Sequence, residues 1–219
     1  MRSIATVVLT IAMAGSATAQ EHAGGGYAFG GIVSIRQPGP TGEAPQTYDT
    51  APGGATIGWL IGIGAFVTPV VSVEFEISST GIMTAREPSR YGMTFNEERR
   101  DRFFTSAARF HVPIGRLADL EPVAGVTVVR SESWSQTEYF QFWLSPQQQR
   151  VVEPRVANAA VLRFGFVAGA DLRIGGRRAA FVPSFRWCPT GDGLSERPPY
   201  ATGFPTSTMR AGAGLRIDF

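Results

Sequence analysis

The chain has 219 residues, of which 17% are charged and 26 are glycine, and its formal net charge is +2. This low charge, with a mean hydropathy of +0.01, excludes both a disordered chain and a helical membrane protein, and the length suits one domain. So small a net charge gives no reason to expect a nucleic-acid partner. A single cysteine cannot form an internal disulfide.

The N-terminus has the pattern of an export signal. Arg2 supplies a positive charge, residues 4–14 form a short apolar run, and a small-x-small cleavage site ends at Ala19. The apolar run is too short to span a bilayer as a helix. We therefore predict a signal peptide over residues 1–19, cleaved after Ala19, and one mature domain over residues 20–219.

The mature chain begins with three segments that alternate with the period of a β-strand. The first predicted strand covers residues 27–36, and a loop rich in proline, glycine and threonine follows it. The second covers residues 55–67, and Thr68-Pro69 turns the chain into the third. On the second and third strands the predicted outward residues are Ile57, Trp59, Ile61, Ile63, Val71, Val73, Phe75 and Ile77, and the predicted inward residues include Gly58, Gly62, Gly64, Glu74 and Glu76.

A polar segment over residues 79–101 is predicted to be a loop, and the charged run at residues 97–102 is interpreted as its solvated base. The fourth strand follows over residues 103–112 and carries Arg109 on its predicted inward face. Because the planar guanidinium fork matches phosphate, a second interpretation of the charged run is contact with lipopolysaccharide phosphates through Arg99, Arg100 and Arg102.

The fifth predicted strand, over residues 121–130, is almost entirely apolar, so its two faces cannot be assigned. The longest predicted loop covers residues 131–158. The sixth strand, over residues 162–174, alternates most clearly of all the internal strands. Its predicted outward residues are Leu162, Phe164, Phe166, Ala168, Ala170, Leu172 and Ile174, and its predicted inward residues include Arg163, Asp171 and Arg173.

Gly175-Gly176 predicts a hairpin turn into the seventh strand. Pro183 lies within that strand and requires a bulge or an unpaired position, because proline has no N–H to donate. A loop rich in proline and glycine leads to the last strand, whose apolar face runs to Phe219. On the last two strands the predicted inward residues include Arg186, Arg210, Arg216 and Asp218.

The connections between these strands alternate between long and short along the whole chain. Outer-membrane barrels have an even number of strands, short turns on the periplasmic side and long loops on the outer side. Each predicted strand has roughly ten residues, enough to cross the hydrocarbon when tilted. We therefore predict an all-β fold, an up-and-down antiparallel transmembrane β-barrel of about eight strands.

The predicted inward face collects charges of both signs. The interior of an eight-stranded barrel is just wide enough for side chains, and an unpaired buried charge is costly. We therefore predict a closed lumen filled by ion pairs, with glycines making room for long arginines. The predicted network consists of Glu74, Glu76, Arg109, Arg163, Asp171, Arg173, Arg186, Arg210, Arg216 and Asp218.

The signal peptide, the alternating strands, the sorted loops and the terminal Leu215-Arg-Ile-Asp-Phe219 together resemble the small bacterial outer-membrane β-barrel superfamily, of the opacity type and the OmpA/OmpX type. The resemblance implies location in the outer membrane and contact with its lipid and lipopolysaccharide. It also implies that the assembly machinery recognises the terminal aromatic residue, here Phe219. The family has no universal catalytic motif.

No catalytic, cofactor or metal site stands out in the sequence. Two histidines and one cysteine are too few for a dedicated transition-metal site, and His111 is interpreted as structural. We predict a non-catalytic, monomeric protein without a cofactor, in a structural or interaction role. Two alternatives stay open: a narrow pore or transport barrel, and a soluble periplasmic lipocalin-like barrel that binds an apolar ligand.

The terminal aromatic residue gives a first test. An aromatic side chain at the rim of a barrel suits the membrane interface, and its loss there should change stability little. We expect Phe219→Ala to lower the amount of protein in the outer membrane much more than it lowers the free energy of unfolding of the refolded protein. Met209→Ala is the control, and equal membrane levels of the two variants would refute a recognition role.

Overall fold

A computed structural model describes residues 25–37, 54–88, 94–141, 150–157, 160–176, 178–191 and 207–219. The predicted signal peptide and its cleavage after Ala19 lie outside these residues. The regular structure of the described residues is a single sheet of twelve strands, and no helix among them is long and apolar enough to cross a membrane. The strands are β1 (Gly26–Gln37), β2 (Gly54–Thr68), β3 (Val71–Ser79), β4 (Met83–Pro88), β5 (Thr94–Phe110), β6 (Val112–Pro113), β7 (Ala118–Phe140), β8 (Arg150–Val152), β9 (Val156–Ala157), β10 (Val161–Gly175), β11 (Ala179–Pro189) and β12 (Ser207–Asp218).

Eight of these strands close into an antiparallel barrel. They pair in the ring order β1, β2, β3, β5, β7, β10, β11 and β12. The last strand returns to the first, with Tyr27 opposite Asp218 at one end of the seam and Arg36 opposite Met209 at the other. The predicted all-β, up-and-down barrel of eight strands is confirmed.

The other four strands extend the barrel beyond its two ends. At the end with the long connections, here called the outer end, β4 pairs with β5, and both β8 and β9 pair with β7. At the opposite end, β6 pairs with the start of β7. The loops predicted over residues 79–101 and 131–158 are therefore wrong over much of their length. The parts of the strands that extend beyond the apolar outer surface of the barrel carry polar residues on both faces. The alternation of apolar and polar residues that marks the other strands is therefore missing there.

Side-chain orientation alternates strictly around the ring. The orientations predicted for β2, β3, β5, β10, β11 and β12 are confirmed, and most of their large outward apolar residues are exposed. On β1, which carries no predicted orientation, Tyr27, Val33 and Ile35 are buried inside. On β7, whose faces could not be assigned, the buried inward residues are Glu121, Val123, Thr127 and Val129.

An apolar layer crosses the lumen in its outer half. It consists of Val33, Ile35, Leu60, Phe103 and Val129, with Phe29 packed against it. Below it, the inward glycines of β2 face aromatic rings. A Cβ at Gly62 would overlap the ring of Phe29, and a Cβ at Gly64 would overlap the ring of Tyr27. On this strand the glycines make room for aromatic rings, where the sequence predicted room for arginines.

The proline of β11 lies at an interruption of one ladder. Pro183 pairs with Ala213 of β12. On its other side the pairing with β10 stops after Asp171↔Ser184 and resumes at Ile174↔Phe181. Pro183, which has no N–H, therefore lies where the ladder between β10 and β11 does not need a donor. The two strands pair in the same register before and after this gap.

The outward face of β12 generates a stability prediction. Leu215 is 66% exposed on the barrel wall, and Ile114 is 59% exposed in the turn between β6 and β7. If the outer surface of the barrel faces hydrocarbon and Leu215 lies near the midplane, Leu215→Arg should lower the free energy of unfolding by on the order of 2–4 kcal/mol. Ile114→Arg, which lies at a turn, should change the free energy of unfolding by no more than about 0.5 kcal/mol. Reversible urea unfolding in lipid vesicles measures both, and equal costs would contradict the membrane-facing assignment.

Candidate functional site

The lumen contains a continuous group of buried charged side chains. Each of the ten residues predicted for the ion-pair network lies on the inward face of its strand. Arg173 and Asp218 are partly buried near the end with the short turns, and their side chains are 11% and 7% exposed. The fully buried charged residues are Glu74, Glu76, Arg99, Asp101, Arg109, Glu121, Arg163, Asp171, Arg186, Arg210 and Arg216.

Arg109 of β5 is the centre of this group. Its guanidinium contacts Glu74 of β3, lies 2.5 Å from Glu121 Oε2 of β7, and lies 2.8 Å from Asp171 Oδ2 of β10. One side chain thus joins three carboxylates from three other strands. Arginine can do so because its planar group presents five donors in a rigid fork.

Two further arginines share the same carboxylates. Arg186 of β11 makes a two-pronged contact with Asp171, with Nη2 2.7 Å from Oδ2, and approaches Glu74 Oε1 at 3.6 Å. Arg216 of β12 donates to Glu121 Oε1 at 3.1 Å. The cluster thus has three carboxylates, on β3, β7 and β10, and three guanidinium groups, on β5, β11 and β12. This Arg109 cluster consists of Glu74, Arg109, Glu121, Asp171, Arg186 and Arg216.

The cluster continues to the end of the barrel with the short turns. Asp218 Oδ1 accepts from Arg216 Nε at 2.7 Å, and its second oxygen accepts from Arg173 Nη2 at 3.0 Å. Arg173 also reaches Asp119 Oδ2 at 3.1 Å. Two aspartates and two arginines thus form a chain of ion pairs from the interior to the rim.

Aromatic rings fill the space between the charges. The Arg216 guanidinium lies 3.7 Å from the centre of the Tyr27 ring, and Arg109 lies 5.5 Å from the centre of the Phe29 ring. Both distances are within the range of cation–π attraction. These two rings occupy the room that the inward glycines of β2 leave, so β1 contributes packing where β3, β5 and β12 contribute charge.

Two smaller polar groups lie nearer the outer end. Glu76 Oε1 accepts from Arg210 Nη1 at 2.6 Å, and this arginine lies over the Phe103 ring at 5.0 Å. The second group, the Asp101 cluster, surrounds one carboxylate. Asp101 Oδ2 is 2.6 Å from Arg99 Nη2, 3.6 Å from Arg163 Nη2 and 2.5 Å from Gln37 Nε2.

One arrangement in the lumen has the connectivity of a nucleophile, a base and an orienting carboxylate. His111 Nε2 lies 2.8 Å from Ser72 Oγ, and His111 Nδ1 lies 2.8 Å from Glu121 Oε1. Ser72, however, is 0% exposed, and its hydroxyl also bonds to Tyr27 Oη at 2.9 Å. Arg109 and Arg216 also engage Glu121, and His111, the residue that follows β5, links Ser72 of β3 to Glu121 of β7.

The described residues contain no group of three or more His, Cys, Asp or Glu side chains that could hold a metal ion. The place where carboxylates converge is occupied by the Arg109 guanidinium, which supplies the positive charge that a cation would otherwise bring. The chemistry that this arrangement supports is mutual neutralisation of charge.

Sequence reasoning missed several members of the network, including Asp119 at the rim. Glu121 was hidden by the uniform apolarity of β7, and Tyr27 lies on a strand without a predicted orientation. Arg99 and Asp101 fell in the segment interpreted as a loop. The sequence did contain a signal for these two residues. Side chains alternate along a strand, so if Arg109 and Thr105 point inward, Asp101 and Arg99 of the same strand point inward as well.

Glu121 tests the energetic role of the lumen. Its carboxylate is 0% exposed and serves two arginines and His111. Glu121→Gln removes the charge with little change in shape, so we expect roughly 3–5 kcal/mol of destabilisation. Glu138→Gln breaks a pair with Arg150, whose side chain is 60% exposed, and should cost about 1 kcal/mol or less. Urea unfolding in vesicles measures both, and a cost at Glu121 no larger than at Glu138 would contradict this role.

No protein-family model and no curated protein matches the chain. Among solved structures it is similar to Ail, the attachment invasion locus protein of Yersinia pestis, in complex with the heparin analogue sucrose octasulfate. The TM-score is 0.50 at 11% identity, over 90% of this chain and 99% of that one. The outer membrane protein OprG from Pseudomonas aeruginosa gives a TM-score of 0.48 at 8% identity, over 90% and 97%. At these identities the likeness concerns the fold, and this chain has the fold of the small eight-stranded outer-membrane β-barrels.

Proposed function

We propose that the protein is a non-catalytic, monomeric β-barrel of a bacterial outer membrane, with a structural or interaction role at the cell surface. Export through the predicted signal peptide and insertion by the assembly machinery belong to this proposal. The observation that carries it is the separation of chemistry across the barrel wall: arginines and carboxylates are fully buried inside, while large apolar side chains are exposed outside.

The outward face supports a lipid environment. Ile61 is 54% exposed, Phe166 is 69% exposed and Leu215 is 66% exposed, on three different strands. In water, an exposed apolar surface that continues around the barrel would drive association. In a bilayer the same surface faces hydrocarbon, and the closed ring leaves no unpaired strand edge within it.

The inward face argues against the two alternative functions. A lipocalin-like barrel needs a large apolar cavity, but buried charged side chains occupy the lumen of the described strands. A cavity beside Glu76, Asp171 and Arg186 has a volume of about 20 Å³, room for one water molecule. A transport pore needs a continuous aqueous path. Here the Arg109 cluster, the apolar layer around Phe103 and the Asp101 cluster follow one another along the lumen.

The strand extensions at the outer end support the interaction role. Glu138 accepts from Arg150 Nη2 at 2.8 Å, Glu98 pairs with Arg155, and Arg155 lies over the Trp134 ring at 4.7 Å. These contacts bind the outer parts of β5 and β7 to β8 and to the segment that leads to β9. The result is a sheet that projects beyond the barrel and can present a surface to a partner outside the cell.

Membrane fractionation with heat-modifiable gel mobility tests the proposal. We expect the protein in the outer-membrane fraction, in a form that migrates differently when it is not boiled, because a folded barrel stays compact in detergent. A boiled sample gives the unfolded reference, and Leu215→Arg gives a variant with a charge on the apolar outer surface of the barrel. Recovery of the protein in the soluble periplasmic fraction would contradict the proposal and favour the lipocalin-like alternative.

A further inference from the structure

Two arginines lie directly opposite each other on the outward face of the barrel, near its outer end. Arg102 of β5 pairs in register with Arg130 of β7, and Arg100 pairs with Glu132 one step further out. Arg99, the neighbour that the sequence grouped with Arg100 and Arg102, points inward and is 1% exposed. The outward residues Arg100, Arg102, Arg130 and Glu132 are here called the arginine patch.

The arginine patch lies at the outer edge of the apolar wall. The next outward pair toward the barrel is Phe104↔Val128, and Leu162 of β10 lies beside Arg130. From Phe110 to Arg102, β5 climbs roughly 20 Å at about 3.3 Å per residue and a tilt of about 40°. The apolar band of such barrels is about 25 Å tall, so with Phe110 at its lower edge the backbone of Arg102 lies about 5 Å below its upper edge. A long arginine side chain extends over that distance and places its guanidinium group among the lipid head groups.

The patch has more positive charge than it neutralises internally. Glu132 is its only carboxylate, and its two oxygens lie 3.1 Å from Arg130 Nη2 and 3.5 Å from Arg102 Nη2. The side chains of Arg102 and Arg130 are 38% and 47% exposed. Like charges directly opposite on neighbouring strands repel each other. Each guanidinium has five N–H donors, so both arginines can donate hydrogen bonds to an additional anion.

We propose that the arginine patch binds a phosphate group of lipid A, the phosphorylated glycolipid of the outer leaflet. The planar forks of Arg102 and Arg130 match a phosphate in charge and geometry. The acyl chains of the same molecule then lie along Phe104, Val128 and Leu162, which gives the lipid a second contact that free phosphate lacks. This inference rests on the proposed outer-membrane location and assigns that function a specific lipid.

Arg36 provides a matched control. It also points outward near the outer end, but its cross-strand partners are Met209 of β12 and Ala55 of β2. A single arginine between apolar neighbours has the same charge and a similar height on the wall without a second fork beside it. Its replacement therefore separates a specific site from a general loss of positive charge.

The experiment measures binding of fluorescent bisphosphorylated lipid A to the refolded full-length barrel in detergent micelles. We expect the double variant Arg102→Gln/Arg130→Gln to bind about tenfold more weakly or worse, because two charge-assisted contacts are lost. Arg36→Gln should change the affinity by less than about twofold. Glu132→Gln should bind more tightly, since it removes the carboxylate that competes with phosphate for both arginines.

Two ligand controls identify the chemistry that is recognised. Lipid A without phosphates but with the same acyl chains should bind wild-type protein as weakly as the double variant binds intact lipid A. Inorganic phosphate at the concentration of the lipid should displace little of it. Unchanged binding by the double variant, a Glu132→Gln variant that does not gain affinity, equal binding of the dephosphorylated lipid, or displacement by equimolar phosphate would each overturn the inference.

Heat-modifiable mobility of the same samples shows whether each variant is a folded barrel. A wild-type barrel that reaches the outer membrane but fails the lipid A test contradicts this inference and leaves the proposed function standing. A protein absent from the outer membrane contradicts the proposed function itself, so the two failures are distinguishable.

Discussion

The structure depends on the pairing of charges inside a narrow barrel. A guanidinium that points into the lumen is removed from water, and the cost of its desolvation is offset only if carboxylates meet it with good geometry. Arg109 meets this requirement with three carboxylates, on β3, β7 and β10. Because these partners come from different strands, the contacts that neutralise the charge also link β5 to its two neighbours and to β10 beyond them.

The polar groups are arranged in layers along the barrel axis. The Arg109 cluster and its rim aspartates lie toward the short turns, the apolar layer around Phe103 and Leu60 lies further out, and the Asp101 cluster lies at the outer end. Arg210 connects the layers, since it pairs with Glu76 and lies over the Phe103 ring. A lumen built in this way supports a rigid barrel that carries a projecting sheet.

The sequence predicted the parts of the fold where one face of a strand is apolar and the other is not. The terminal strand and β10 show this contrast along their whole length, and the structure places their residues as expected. The prediction failed on β7, where inward and outward residues are both apolar, so Glu121 had no assigned side. It failed again beyond the apolar outer surface of the barrel. There Arg99 and Asp101 lie on the inward face of β5, in a segment whose polar composition alone predicts a loop.

Single-channel recording in planar bilayers tests most directly whether the ion pairs close the lumen. The refolded barrel should show no steady conductance of porin size at either polarity, because paired side chains and the apolar layer leave no continuous aqueous path. A large, stable, open channel would contradict the account, since it would require the buried arginines and carboxylates to stand apart with water and ions between them.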